Sequence, residues 1–254
     1  MPQRSPLVFW LLLAATLVID AVAIYWVTSP YPLHARVFYD GLVLGQLSVI
    51  FVWSALAVRK DVWTRLAPLL AVAVASVAIG LLDESPWTVG LPYYGLYAAM
   101  LLAALWVFER TPFWRRRRGA ATSWRYSMAN LLIVMTIIAV LASVIRNSPL
   151  FEQHPGVNLL FLCSSVAVAM ASVVLWSLTW HWLLRLAAVL GFAEFVGGTL
   201  FWFALQVVPL PLEVLAPLLV FIVAPPHLIQ ALVLSAWLGL TPILPVWPTS
   251  AAES

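Results

Sequence analysis

Long apolar runs, not alternation, organise this chain. Eight stretches, residues 7–28, 38–58, 64–82, 92–109, 128–146, 157–179, 184–206 and 213–239, are apolar on every side, and breaker-rich segments such as TSPYPLHAR, DESPWTVGLP, RNSPLFEQHPG and VVPLPLE divide them. About 20 apolar residues, rising 1.5 Å each, cross the hydrocarbon core of a bilayer. Inside lipid every backbone amide must pair within the protein, which leaves helices or closed barrels. A barrel strand would alternate apolar and polar residues, and these runs do not. The pattern predicts an all-α membrane protein, a polytopic bundle of about eight transmembrane helices forming one domain over residues 1–254. The last run is long and contains Pro217, Pro225 and Pro226, so a kink is expected near Pro225.

Composition strengthens this picture. Hydrophobic residues make up 64% of the 254 and charged residues only 9%, against about 25% charged in an average soluble protein. That is too little polar surface for a water-facing globule. The first run also has the look of a signal peptide, with Arg4 as its basic end and Ala21-Val22-Ala23 as a cleavage-like site. Asp20 interrupts the approach to that site and IYWV continues the apolar run beyond it, so a retained first helix is expected.

Charge then orients the bundle. With the N-terminus cytoplasmic and eight alternating spans, Arg4, Arg59, Lys60, Arg65, Arg110, Arg115, Arg116, Arg117, Arg118, Arg125 and Arg185 fall inside, and only Arg36 and Arg146 outside. Eleven against two is the asymmetry of the positive-inside rule, and it also places the tail 240–254 in the cytoplasm. The loop 110–127 holds six of the thirteen Lys and Arg residues. Arg115, Arg116, Arg117 and Arg118 read first as a topology signal, and anionic lipid headgroups are their expected partners, at about 1 kcal/mol per basic residue. Trp114, Trp124 and Tyr126 flank them as interfacial anchors. No folded module surrounds the run, which argues against nucleic acid. The net charge of +3 arises mostly from this loop.

VWSAL at 52–56 and WTRLA at 63–67 have counterparts in LWSLT at 175–179 and WLLRLA at 182–187. Trp53 and Trp176 are 123 positions apart, Arg65 and Arg185 120. An offset of four spans preserves orientation, so residues 1–110 and 126–240 read as two parallel four-helix repeats. The alternative is that Trp and Arg gather at cytoplasmic helix ends in any case. The segment 124–146, WRYSMANLLIVMTIIAVLASVIR, carries Tyr126-Ser127-Met128, Leu131-Leu132 and Thr136. It resembles a segment of planctomycete-type bacterial multi-pass membrane proteins, and GQLSVIFVWSAL at 45–56 resembles a run in the same proteins. The resemblance covers some 35 residues. It implies a bacterial cytoplasmic (inner) membrane and no catalytic residue. A basic residue usual in that segment is replaced here by Ala129 or Asn130.

Enzyme signatures are absent: there is no His-Glu-x-x-His, Gly-x-Ser-x-Gly, phosphate-cradling glycine loop or Cys-x-x-Cys. A single cysteine, Cys163, allows no intrachain disulfide. His34 and His154, in separate external loops, make a poor metal pair, and no cofactor or metal is expected. The chemistry on offer is a set of polar residues near the bilayer midplane: Asp20, Gln46 with Ser48, Glu194, His227 and Gln230. An acid at the centre of a lone helix costs about 2.5–3.5 kcal/mol, so these side chains are expected to face the bundle interior. Glu194 is the foremost candidate, central in its run and flanked by Gly191, Gly197 and Gly198. Two functions remain open. One is a non-enzymatic structural or interaction protein whose polar groups join helices. The other is a small-solute or ion transporter with a midplane site. Gly41-x-x-x-Gly45 marks a close helix contact, within the monomer by default. Asp40, four residues after Arg36, is expected in an exposed ion pair with it.

Overall fold

A computed structural model describes residues 6–27, 32–56, 62–82, 87–111, 155–178, 180–207 and 225–240. They form seven helices: α1 (Pro6–Val27), α2 (Pro32–Leu56), α3 (Val62–Leu82), α4 (Trp87–Arg110), α5 (Pro155–Trp176), α6 (Trp182–Val207) and α7 (Pro225–Leu240). No strand occurs among the described residues. Four helices are long and apolar enough to cross a membrane, with spans Phe38–Ala55, Gly90–Arg110, Asn158–Trp176 and Trp182–Leu200. Shorter apolar stretches lie in α1, α3 and α7. Every described element is a helix, and the chain is a membrane-embedded protein.

Six helices fall where the apolar runs predict them, within a few residues at each end. α2 and α4 begin six and five residues early, because Pro32 and Trp87 open a helical turn outside the apolar core. Pro92 lies within α4 and Pro68 within α3, each removing one ladder hydrogen bond without ending the helix. The eighth run differs. The described helix starts at Pro225 and not at 213, so Pro225 and Pro226 stand at its opening. There the missing proline amides are among those that no intrahelical carbonyl would have accepted. The fifth run, 128–146, most of the loop 110–127 with Arg115, Arg116, Arg117 and Arg118, and all but the first residue of the tail 240–254 lie outside the described residues.

α7 is the hub. It packs on α2, α5 and α6, while α2 also touches α1, α3, α4 and α5. The main core is built from Leu42, Leu44 and Val52 of α2, Leu101 and Leu105 of α4, Leu162 and Val173 of α5, and Leu234 of α7. A smaller cluster, Val168, Val189, Ala193 and Ala231, joins α5, α6 and α7. In lipid, apolar side chains gain little from leaving the solvent, so helix association rests on close packing and interhelical hydrogen bonds. Gly41 and Gly45 supply the first. A Cβ added at Gly41 would lie 2.6 Å from the Pro226 carbonyl oxygen and 2.7 Å from Pro226 Cα. At Gly45 it would lie 2.8 Å from Val233 Cβ. The glycine pair is the seat of α7 on α2, inside the monomer. Gly239 does the same on a smaller scale, leaving space for the Trp176 ring, whose Nε1–H donates to Ser235 Oγ at 3.0 Å.

Candidate functional site

The close approach of α7 to α2 brings a polar cluster together. Ser48 of α2, Tyr97 of α4, Ser164 and Ser165 of α5, and His227 and Gln230 of α7 are all buried, all but Ser164 completely so. Gln230 Nε2 donates to Tyr97 Oη at 2.8 Å and to the Ser165 carbonyl at 2.9 Å, with Ser48 Oγ at 3.2 Å sharing a proton. The Ser165 carbonyl can only accept, which fixes the amide with nitrogen toward it. Ser48 Oγ donates back to the Leu44 carbonyl at 2.6 Å, so the 2.7 Å contact between Ser48 and Tyr97 carries the tyrosine proton. The sequence Gln230 to Tyr97 to Ser48 to Leu44 is a one-way chain of donors.

His227 closes the other half. Ser164 Oγ lies 2.9 Å from its Nε2 and Ser165 Oγ 3.4 Å from its Nδ1. Both hydroxyls also reach the Phe161 carbonyl, at 2.7 and 2.9 Å. A neutral imidazole has one donor and one acceptor nitrogen. It donates to one serine and accepts from the other, and the first serine keeps its bond to Phe161. The ring lies over Phe161, with centroids 5.0 Å apart and planes inclined by 24°. One atom is left over: Gln230 Oε1 meets no donor in hydrogen-bonding geometry. The His227 ring, one turn earlier on α7, is near enough to interact with the same amide.

A second polar contact joins α1 to α2, where Gln46 Nε2 donates to Asp20 Oδ1 at 2.5 Å. Asp40, expected beside Arg36, accepts from Tyr94 Oη at 3.3 Å; the Arg36 side chain lies outside the description.

The predicted midplane set therefore divides. His227 and Gln230 come together, Asp20 and Gln46 come together, and Glu194 joins neither. It is exposed on the outer side of α6, beside Phe195 at 70% exposure. The glycines around it do not explain it by internal packing, since a Cβ added at Gly191 or Gly198 would meet nothing within 4 Å. Tyr97, Ser164 and Ser165 are the members that sequence reasoning missed. Ser164 and Ser165 bond to carbonyls of their own helix, so their presence in an apolar run carries no mark of an interhelical role. Tyr97 lies in an aromatic-rich segment, YYGLY, that reads as interfacial.

No group of three or more His, Cys, Asp or Glu side chains able to hold a metal occurs among the described residues. Comparison with known protein families, with curated proteins and with solved structures finds no match.

Proposed function

We propose that this chain is a non-enzymatic multi-pass protein of a bacterial cytoplasmic membrane with a structural or interaction role. The observation that carries the proposal is the self-satisfied, uncharged character of the interior cluster. Gln230, Tyr97, Ser48, His227, Ser164 and Ser165 spend nearly all their hydrogen-bonding capacity on one another and on α2 and α5 carbonyls. The carboxyl groups that would suit an ion are elsewhere: Asp20 is engaged by Gln46, and Glu194 faces outward. The cluster acts as a clasp between α2, α4, α5 and α7.

Eight spans, cytoplasmic termini and lipid contact at Arg115, Arg116, Arg117 and Arg118 belong to the same proposal. They are supported by the apolar length of 128–146 and by the eleven-to-two distribution of basic residues. Kinship with planctomycete-type membrane proteins rests on the segments 45–56 and 124–146. The two-repeat arrangement is supported by the packing. α2, α3 and α4 touch one another, as do α5, α6 and α7; of the contacts between the sets, α2 with α7 and α4 with α5 exchange under a two-fold operation, and α2 with α5 maps onto itself.

One observation favours the second reading, a transporter with a midplane site. Gln230 Oε1 is a buried acceptor with no protein donor aligned to it. Thermal unfolding of the purified protein across pH, Na⁺, K⁺ and a metabolite panel separates the two, with Gln230→Leu alongside. The structural reading expects no ligand-dependent shift. A ligand at 100 times its Kd adds about 2.7 kcal/mol; a shift of that size, abolished in Gln230→Leu, would make the clasp a binding site and overturn the proposal.

A further inference from the structure

α6 has two dissimilar faces. Val189 and Ala193 are buried against α5 and α7, and Leu200 is buried as well. Gly191, Glu194, Phe195, Gly198, Thr199 and Trp202 are exposed on the other side. Glu194 is the thirteenth of the 26 residues of α6, and the helical rise puts it within about 1 Å of the helix midpoint. α3 shows what a lipid-facing surface of this protein looks like: Leu66, Leu69, Leu70, Val74 and Val77, without a charge. α1 repeats that pattern with Leu11, Leu17, Val18 and Val22.

A carboxyl at mid-depth on a face of this kind is out of place in hydrocarbon, where such groups pair with one another or face protein. Thr199 on the same face is satisfied internally, donating to the Phe195 carbonyl at 2.8 Å. Glu194 has no such contact with a described residue. Gly191 and Gly198, seven residues apart on this face, leave open space, where Gly41 and Gly45 hold α7 in close contact elsewhere in the molecule. The face has the form of a helix seat with its helix missing.

We propose that the outer face of α6 docks a transmembrane helix of another membrane protein, one that carries a basic side chain at mid-depth to pair with Glu194. Charge complementarity selects this occupant. A second copy would set Glu194 against Glu194 in a two-fold pairing of α6, and the thirteen Lys and Arg residues of this chain lie between the apolar runs or at their ends, none at mid-run. A partner lysine or arginine converts a costly lipid-exposed acid into a charge-assisted hydrogen bond. The two glycines let the partner backbone come near enough for that bond to form. The inference rests on the interaction role proposed above and gives it a partner chemistry.

The test uses the full-length protein, dye-labelled in liposomes, with designed Leu/Ala helices of about 22 residues that differ only in a central Lys, Leu or Glu. Energy transfer then reports association. The expected result is that the Lys helix binds the wild type about tenfold or more tightly than the Leu helix, given the coupling of close charge pairs at interfaces. Glu194→Gln should remove that preference, and Glu194→Lys should transfer it to the Glu helix. Glu194 is exposed, so neither variant disturbs the core. Equal binding of all three helices, or no binding of any, overturns the proposal. Self-association that depends on Glu194 and that the Lys helix fails to displace overturns it in favour of a second copy. None of these outcomes bears on the ligand-dependent melting that tests the structural reading, so the two fail separately.

Discussion

Gly41→Ala asks whether the bundle is held by the contact of α7 with α2. The new Cβ would sit 2.6 Å from a carbonyl oxygen and 2.7 Å from a Cα of Pro226, both backbone atoms, where ordinary contact begins near 3.4 Å. No rotamer relieves this. The start of α7 must retreat by about 0.8 Å, with the strain of an overpacked core, about 1–3 kcal/mol. His227 is the next residue and Gln230 one turn further on, so the retreat reaches the clasp. The 3.2 Å contact from Gln230 to Ser48 is the first to break, at about 0.6 kcal/mol for an interhelical hydrogen bond in a membrane. Replacing glycine by alanine within a helix returns about 0.5–1 kcal/mol. The net expectation is a loss of about 0.6–3 kcal/mol, the overpacking term setting its size. Gly95→Ala is the control, because a Cβ there meets nothing within 4 Å; it should keep the helical gain and lose nothing. Equilibrium unfolding in lipid bicelles, read side by side for the two variants, gives the comparison. If Gly41→Ala is as stable as Gly95→Ala, α7 does not seat on α2 as described.

Two further substitutions probe contacts outside that seat. Gly239→Ala would place a Cβ 2.7 Å from the far edge of the Trp176 indole, so it should destabilise by about 1–3 kcal/mol in the wild type but not in Trp176→Phe, whose shorter ring lacks those atoms. Equal losses in both backgrounds, measured by the same unfolding equilibrium, would refute the contact. Asp20→Asn keeps an oxygen to accept from Gln46 and should leave stability within about 0.5 kcal/mol of the wild type. Gln46→Leu removes the donor and should cost about 1–3 kcal/mol; the reverse order of losses would show that the Asp20 charge itself stabilises the fold.

The places of Gln46 and Glu194 near the middle of their helices were legible in the sequence, because an uninterrupted apolar run fixes position along the helix at 1.5 Å per residue. His227 and Gln230, expected mid-run, stand instead in the first two turns of α7, which opens at Pro225. The direction each side chain faces was not legible. A surface helix of a soluble protein announces its inner face by an apolar stripe, but a helix in lipid is apolar all round and the signal vanishes. Glu194 is the case in point: it is central in its run and flanked by glycines, as expected, yet it points away from the cluster it was grouped with. The Gly41-x-x-x-Gly45 motif announced a close contact, and only the fold supplied Pro226 and Val233 as its partners. Residues separated by more than a hundred positions, such as Ser48 and Gln230, meet because α7 returns to α2, and no local pattern encodes that return.

The proposed repeat bears on the outer face of α6. Pro68, Val72 and Ser76 line the buried side of α3, and Val189, Ala193 and Gly197, each 121 positions later, line the buried side of α6. That offset is one residue from the separation of Arg65 and Arg185. In the same register the exposed Leu70, Ala73, Val74 and Val77 of α3 correspond to the exposed Gly191, Glu194, Phe195 and Gly198 of α6. Two helices that keep the same inner pattern thus differ on their outer faces in a directed way. One has bulky aliphatic side chains suited to lipid; the other has lost bulk at two positions and gained an acid between them. If both halves once faced lipid alike, those changes have no value to a helix that still does. Grafting Leu70, Ala73 and Val77 onto α6 as the triple substitution Gly191→Leu, Glu194→Ala and Gly198→Val should therefore leave folding intact, since all three positions are exposed, and abolish association with a Lys-bearing helix. A triple variant that unfolds would instead place this face inside the fold, packed against the chain itself.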